Sequence, residues 1–292
     1  MGQLRFGTDG VRGKAFDELS TDYVASLGRA AADVLGAGEW LVGRATRESG
    51  PALEQALIDG LHSGGAKASR TGVVPTPALA HLSVRHGVPA AMITASHNPY
   101  GDNGVKIFAA GGQKLTGEIE RAIEAALAHP THPGAGHPDL VLSTALAEYC
   151  EFLVKGSSAE SLRGLRIVLD CANGAMFEAA PLVARSLGAE VHVIHDEPNG
   201  RNINDHCGAT HPADLRLAVV EHGADLGLAF DGDGDRVIAV DHLGNVVDGD
   251  RMLALAALQL RDEGLLTNDT VVVTVMSNSA STRRCRRRAS TS

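Results

Sequence analysis

Three carboxylates crowd one short stretch, Asp231-Gly232-Asp233-Gly234-Asp235-Arg236. Like charges this close repel, and a hard divalent cation with oxygen ligands is the economical way to hold them. The intervening glycines free the backbone to curl, so that the side chains can converge on one point. An EF-hand is excluded, because the sixth loop position is Arg236 instead of Gly and the twelfth is His242 instead of Glu. A solvated acidic turn is the bland alternative. It is disfavoured because an apolar run, Leu226 to Phe230, leads straight into the charges.

A second candidate is Thr94-Ala95-Ser96-His97-Asn98-Pro99, which follows the apolar run starting at Ala90. Ser96 then stands at the carboxyl end of a strand, the edge at which open α/β sheets bind ligands. A serine beside a histidine suggests nucleophilic catalysis, although adjacency in sequence is not a triad. A polar turn in which Asn98-Pro99 ends the strand stays open. Gly101 to Phe108 brings Lys106 near Ser96 along the chain. This is no P-loop, which needs Gly-Lys followed by Ser or Thr, and a hairpin turn with a surface lysine is the alternative. Phe6 to Gly13 spaces three glycines so that backbone amides can approach a ligand, with Arg12 placed to clamp a phosphate. It is not the dinucleotide fingerprint, and an N-terminal turn reads equally well. Among the histidines only His97 stands out by position. His81/His86, His129/His132 and His192/His195 make no metal-binding helix pattern and read as solvated or satisfied in the core.

The elements that must position these residues alternate in type. Trp40 to Gly43 reads as a strand, Pro51 to His62 as a helix opened by proline, Ala90 to Thr94 as a strand and Glu118 to Ala128 as a helix. His129 to Pro138 is dense in breakers and reads as a loop or linker. A second block runs helix (Thr144 to Lys155), strand (Leu165 to Asp170), helix (Ala175 to Leu187), strand (Glu190 to Ile194), helix (Asp214 to His222) and strand (Leu226 to Phe230). Val237 to Val240 and Val246-Val247 flank a hairpin turn at Leu243-Gly244-Asn245. A third block holds an apolar helix, Arg251 to Arg261, and a β-branched strand, Thr270 to Met276. Alternating strands and helices mean an α/β fold of β-α-β units with sheets covered on both faces.

Composition narrows the class. The 292 residues suggest about two domains. Net charge is −9 and aromatics make up 3%, which argues against a basic or stacking nucleic-acid surface. Cys150, Cys171, Cys207 and Cys285 show no zinc-ligand spacing and read as reduced thiols of a cytoplasm. No apolar stretch is long enough to span a bilayer, and the N-terminus has no signal-peptide pattern. From Ser277 the composition changes abruptly to Ser, Thr and Arg, which reads as a non-native end in preference to a nucleic-acid-binding arm.

Taken in order, Phe6 to Gly13, Gly72 to Pro77, Thr94 to Lys106, Asp170 to Ala175 and Asp231 to Arg236 resemble the motifs of the α-D-phosphohexomutase family, from about Arg5 to Asn278. The resemblance implies two complete three-layer α/β/α domains with mostly parallel mixed sheets and the start of a third. These are residues 1–142 with a phosphoserine loop, 143–247 with a metal loop, an incomplete 248–276, and an aberrant tail, 277–292. It implies that Ser96 is the phosphorylated residue and that Mg²⁺ is held by Asp231, Asp233, Asp235 and a phosphate oxygen on Ser96. Lys106 and His97 become the acid/base candidates, and Arg12 and Arg236 orient phosphate.

The likeness is strongest to the amino-sugar branch, which interconverts glucosamine 6-phosphate and glucosamine 1-phosphate through a phosphoserine and a bisphosphate, on the way to cell-wall precursors. A mannose or glucose phosphate substrate is the alternative within the family, and a non-catalytic metal-binding fragment the alternative outside it. Two departures stand out. Ala45 replaces the family's usual Asp before Thr46-Arg47. The family's sugar-reading and distal phosphate loops have no counterpart here, which predicts little mutase turnover and an exposed apolar face at Met252 to Leu258.

Overall fold

The computed structural model describes residues 4–7, 10–127, 140–157, 161–273 and 277. The first sheet contains β1 (Val11–Lys14), β2 (Glu39–Arg44), β3 (Lys67–Val73), β4 (Ala90–Ile93), β5 (Asp102–Ala109), β6 (Gln113–Lys114) and β7 (Leu140–Val141). Their order is β1-β5-β4-β2-β3-β7, with β6 paired to β5. Strands β4, β2, β3 and β7 are parallel, whereas β5 is antiparallel to both β4 and β1. The second sheet contains β8 (Arg166–Asp170), β9 (Glu190–Ile194), β10 (Leu226–Phe230), β11 (Val237–Asp241) and β12 (Val246–Val247), in the order β12-β11-β10-β8-β9. Here β9, β8 and β10 are parallel, and β10, β11 and β12 form an antiparallel run.

Central strands are apolar on successive residues because both sheet faces are covered. In β2, Trp40 and Val42 enter one core cluster and Leu41 the other; in β4, Ala91 and Ile93 part from Ala90 and Met92 in the same way. One face of the first sheet carries α1 (Thr21–Leu35), α2 (Gly50–Ser63) and α4 (Gly117–Leu127), and the other carries α3 (Thr76–His86) and α5 (Ala145–Gly156). The second sheet packs α6 (Ala179–Ser186) on one face and α7 (Ala213–Glu221) on the other. Helix α5 serves both halves: Ala145 and Tyr149 sit in the first domain's core, and Cys150 in the second's. Ala175 and Ile203, from the second half, also pack in the first domain's core.

Several expected elements differ. The helix expected from Ala175 begins at Ala179, because Ala175 N–H is used on Gly232 O (2.9 Å) and the chain turns tightly there. Gly101 to Phe108 is no isolated turn: β5 starts at Asp102 because β1 and β4 flank it on either side. Residues 270–273 form no strand, having no paired neighbour among the described residues, and Val272 is 90% exposed; residues 274–276 lie outside the described part, as do the expected loop at 129–138 and most of the tail. Helix α8 (Gly249–Asp262) is capped by Asp248, whose carboxylate accepts from Arg251 N–H at 2.9 Å. Its Leu253, Leu255 and Leu260 are exposed. No described helix is long and apolar enough to cross a membrane.

Candidate functional site

The parallel strands of both sheets send their carboxyl ends toward a common junction. The loops after β2, β3, β4, β8 and β10 meet there, the placement expected for a ligand site in open α/β sheets. Strand β4 is buried along its length and delivers Ser96 to that edge at 1% exposure. Ser96 sits in the left-handed region, φ 53°, an uncommon conformation for a residue with a Cβ. Its N–H donates to Thr94 Oγ1 at 2.9 Å. Its carbonyl accepts from Arg47 Nη2 (2.9 Å) and Asn204 Nδ2 (3.0 Å), and both donors also reach Asn98 O. The kinked loop is thus clamped from both halves of the molecule.

That kink turns Ser96 Oγ onto the acid loop, where it donates to Asp231 Oδ2 at 2.6 Å. The loop closes on itself: Asp231 N–H donates to Arg236 O, and Arg236 N–H returns to Asp231 Oδ1. Only one of the two glycines is needed for backbone freedom. Gly234 has φ 72°. Gly232 is needed for closeness, since a Cβ there would meet Asn204 Nδ2 and Ser96 O at 2.6 Å. Asp231, Asp233 and Asp235 each present a carboxylate oxygen within 4.8 Å of the others.

Strand β5, opposite β4 with Lys106 facing Met92 in the register, carries Lys106 Nζ to Asp233 Oδ2 (2.9 Å) and Asp235 Oδ2 (3.1 Å). Lys106 is buried, contrary to a surface lysine. Arg236 Nη2 lies 2.8 Å from Ser96 Oγ and 2.9 Å from Asp231 Oδ2, and it contacts His97 Nδ1. Arg12, Ser96, His97, Asp235 and Arg236 line an open cleft of about 440 Å³. All eight expected side chains therefore gather at this junction. Thr8 and Asp9 of the N-terminal motif lie outside the described residues.

Electrostatics separate the buried carboxylates. Burial and the neighbouring Asp233 charge push Asp231 up to about 6. Burial also raises Asp233, but the Lys106 charge and the hydrogen bonds from Thr76 and Lys106 outweigh it and hold Asp233 below its ordinary value. Burial and the Arg236 charge keep His97 below the usual imidazole range. Asp233 Oδ1 is buried without a hydrogen-bond partner among the described residues. An orphaned carboxylate oxygen inside an all-oxygen donor set fits a hard divalent cation.

Three contributors escaped sequence reading. Thr76, the first residue of α3, donates through Oγ1 to Asp233 Oδ2 (2.7 Å) and through N–H to Asp233 O (2.8 Å). Arg47 and Asn204 clamp Ser96. Arg47 comes from the turn holding Ala45, whose methyl is packed in the core and whose N–H donates to Ile93 O at 3.0 Å. The usable signal was positional: Arg47 and Thr76 each follow the end of a parallel strand.

Comparisons with known proteins bear on this site. The family profile described as "Phosphoglucomutase/phosphomannomutase, alpha/beta/alpha domain I" matches residues 3–133, and that for alpha/beta/alpha domain II matches residues 147–244. A phosphoglucosamine mutase of Salinispora tropica is 49% identical over 293 residues, covering 95% of this chain and 64% of the relative. One of Clostridium tetani is 48% identical over 285 residues, covering 94% of this chain and 63% of the relative. The chain thus spans under two thirds of their length. A solved phosphoglucomutase/phosphomannomutase family protein of Burkholderia thailandensis superposes with a TM-score of 0.80 at 26% identity, covering 90% of this chain and 60% of that one.

Proposed function

The chain belongs to the phosphoglucomutase/phosphomannomutase family of α-D-phosphohexomutases, and from that premise we propose that it carries the phosphoryl-transfer half of a phosphoglucosamine mutase. Residues 1–142 supply the phosphoserine loop and 143–247 the metal loop. The observation that carries this reading is the contact of Ser96 Oγ with Asp231 Oδ2 at 2.6 Å, beside two further converging carboxylates.

Asp231, Asp233 and Asp235, with an oxygen of the phosphate on Ser96, would hold Mg²⁺. Bound magnesium neutralises phosphoryl oxygens as charge builds on them. The chain's own residues do the rest. Phosphoserine 96 gives its phosphoryl group to the C1 hydroxyl of glucosamine 6-phosphate: the P–Oγ bond breaks as the P–O1 bond forms. His97, held below the usual imidazole range, receives the hydroxyl proton, while Lys106, charged beside Asp233 and Asp235, gives a proton to Ser96 Oγ as it leaves and takes it back when Ser96 attacks. Arg12 and Arg236, which both line the cleft, hold phosphate oxygens. The bisphosphate reverses, its C6 phosphoryl group returns to Ser96 Oγ, and the C6 oxygen takes the proton back. Arg47 and Asn204 keep Ser96 aimed throughout. The product, glucosamine 1-phosphate, feeds amino-sugar synthesis in the cytoplasm.

Intact-mass spectrometry tests this. Incubation with magnesium and a hexose 1,6-bisphosphate should add one phosphate, mapped to Ser96 and absent from Ser96→Ala. No added phosphate, or one mapped elsewhere, would refute the reading.

A further inference from the structure

Metal-binding side chains also meet away from the acid loop. Asp170 at the end of β8, His195 just past β9, and Cys207 each offer one donor atom, and the three atoms lie within 4.8 Å of one another. The backbone assembles them. Strands β8 and β9 are parallel neighbours with Asp170 opposite Ile194. His195 then turns left-handed, φ 52°, and its carbonyl accepts from Asn173 N–H at 2.7 Å. The Asp170 carboxylate is held by two main-chain donors, Ala172 N–H at 2.9 Å and Gly208 N–H at 2.8 Å, the second adjoining Cys207. Asp170 and Cys207 are fully buried.

His195 is the accessible member, and two facts point to a ligand. Its Nδ1 is shielded from solvent and faces Asp170 Oδ1 at 3.0 Å, so the imidazole already stands against a carboxylate of the cluster. A cavity of about 360 Å³ opens beside it, lined also by His192, Asp214 and His222. His195 had read as a merely solvated or core-satisfied histidine. Its place between Asp170 and Asp214, whose Oδ2 lies 3.4 Å from Nε2, was invisible in the sequence.

The donor chemistry differs from that of the acid loop. Thiolate, imidazole and carboxylate together suit borderline-soft zinc, whose tetrahedral bonds of about 2.0–2.3 Å set ligand atoms about 3.4 Å apart. Magnesium takes oxygen ligands. We propose that Asp170, His195 and Cys207 form a zinc site distinct from the acid loop. Binding replaces the Cys207 S–H bond with an S–Zn bond and releases the thiol proton to solvent. It also fixes Cys207, three residues from Asn204, and so stiffens the segment that holds Ser96.

The full chain, with its acid loop saturated by magnesium, can be titrated with Co²⁺ as a spectroscopic probe and then with Zn²⁺. A thiolate-to-cobalt charge-transfer band should grow to a single equivalent, bleach on adding zinc, and persist in Asp231→Asn. It should vanish in Cys207→Ser, which keeps the other three thiols, and affinity should fall at least about tenfold in His195→Ala. Absence of the band, or its survival in Cys207→Ser, overturns the proposal. Should Cys207→Ser lose its native circular dichroism, His195→Ala decides alone, and unchanged affinity there overturns it.

Discussion

The Asp231 carboxyl, pushed up to about 6 by burial and by the Asp233 charge, makes the metal-free protein sensitive to pH. Between about pH 4 and 6 the folded chain holds a proton that the unfolded chain has released, so stability from this group rises as pH falls through that window. Asp233, held below its ordinary value by Lys106 and Thr76, stays charged there. In chelator-treated protein, lowering pH from 7 to 5 should stabilise the wild type by about 1 kcal/mol more than Asp231→Asn, measured by urea melts. An equal response in both would count against the buried, proton-holding Asp231. At this scale the sequence revealed residues that come as local motifs: the acid trio, Ser96-His97, Lys106, Arg12 and Arg236. It hid Arg47, Thr76 and Asn204, whose partners stand 49, 157 and 108 positions away.

At the scale of elements, α3 matters beyond covering a sheet. Its first residue caps the acid loop of the other half, so a helix start in one domain fixes a carboxylate in the next. Thr76→Val keeps the shape but removes a hydrogen bond to a charged group, and should destabilise the chain by about 1.5–3 kcal/mol. Thermal melts check this, and an unchanged Tm would show that Lys106 alone satisfies Asp233. Apolar runs bounded by turns made β2, β4, β8, β9 and β10 legible. Helix α1 was missed although Ser20 caps it, accepting from Tyr23 N–H at 3.1 Å, because its buried stripe is mostly alanine and glycine. Strand β5 begins with Asp102-Asn103-Gly104, which favour turns locally, and only flanking strands override that preference.

Across the whole molecule the two sheets present their carboxyl edges to each other, and the side chains of the candidate site are divided between them. The α/β class and its two-domain division were legible from the alternation of elements. What the alternation could not convey is how tightly the halves share interior. Ile203 and Ala175 of the second half lie in the first domain's core, and α5 puts Tyr149 into one core and Cys150 into the other. Neither half can lose its packing without exposing apolar surface in its neighbour. Heat should therefore find no seam: differential scanning calorimetry is expected to trace one endotherm whose van't Hoff and calorimetric enthalpies agree. Two resolved peaks would mean that the shared helix is a tether and not a keystone.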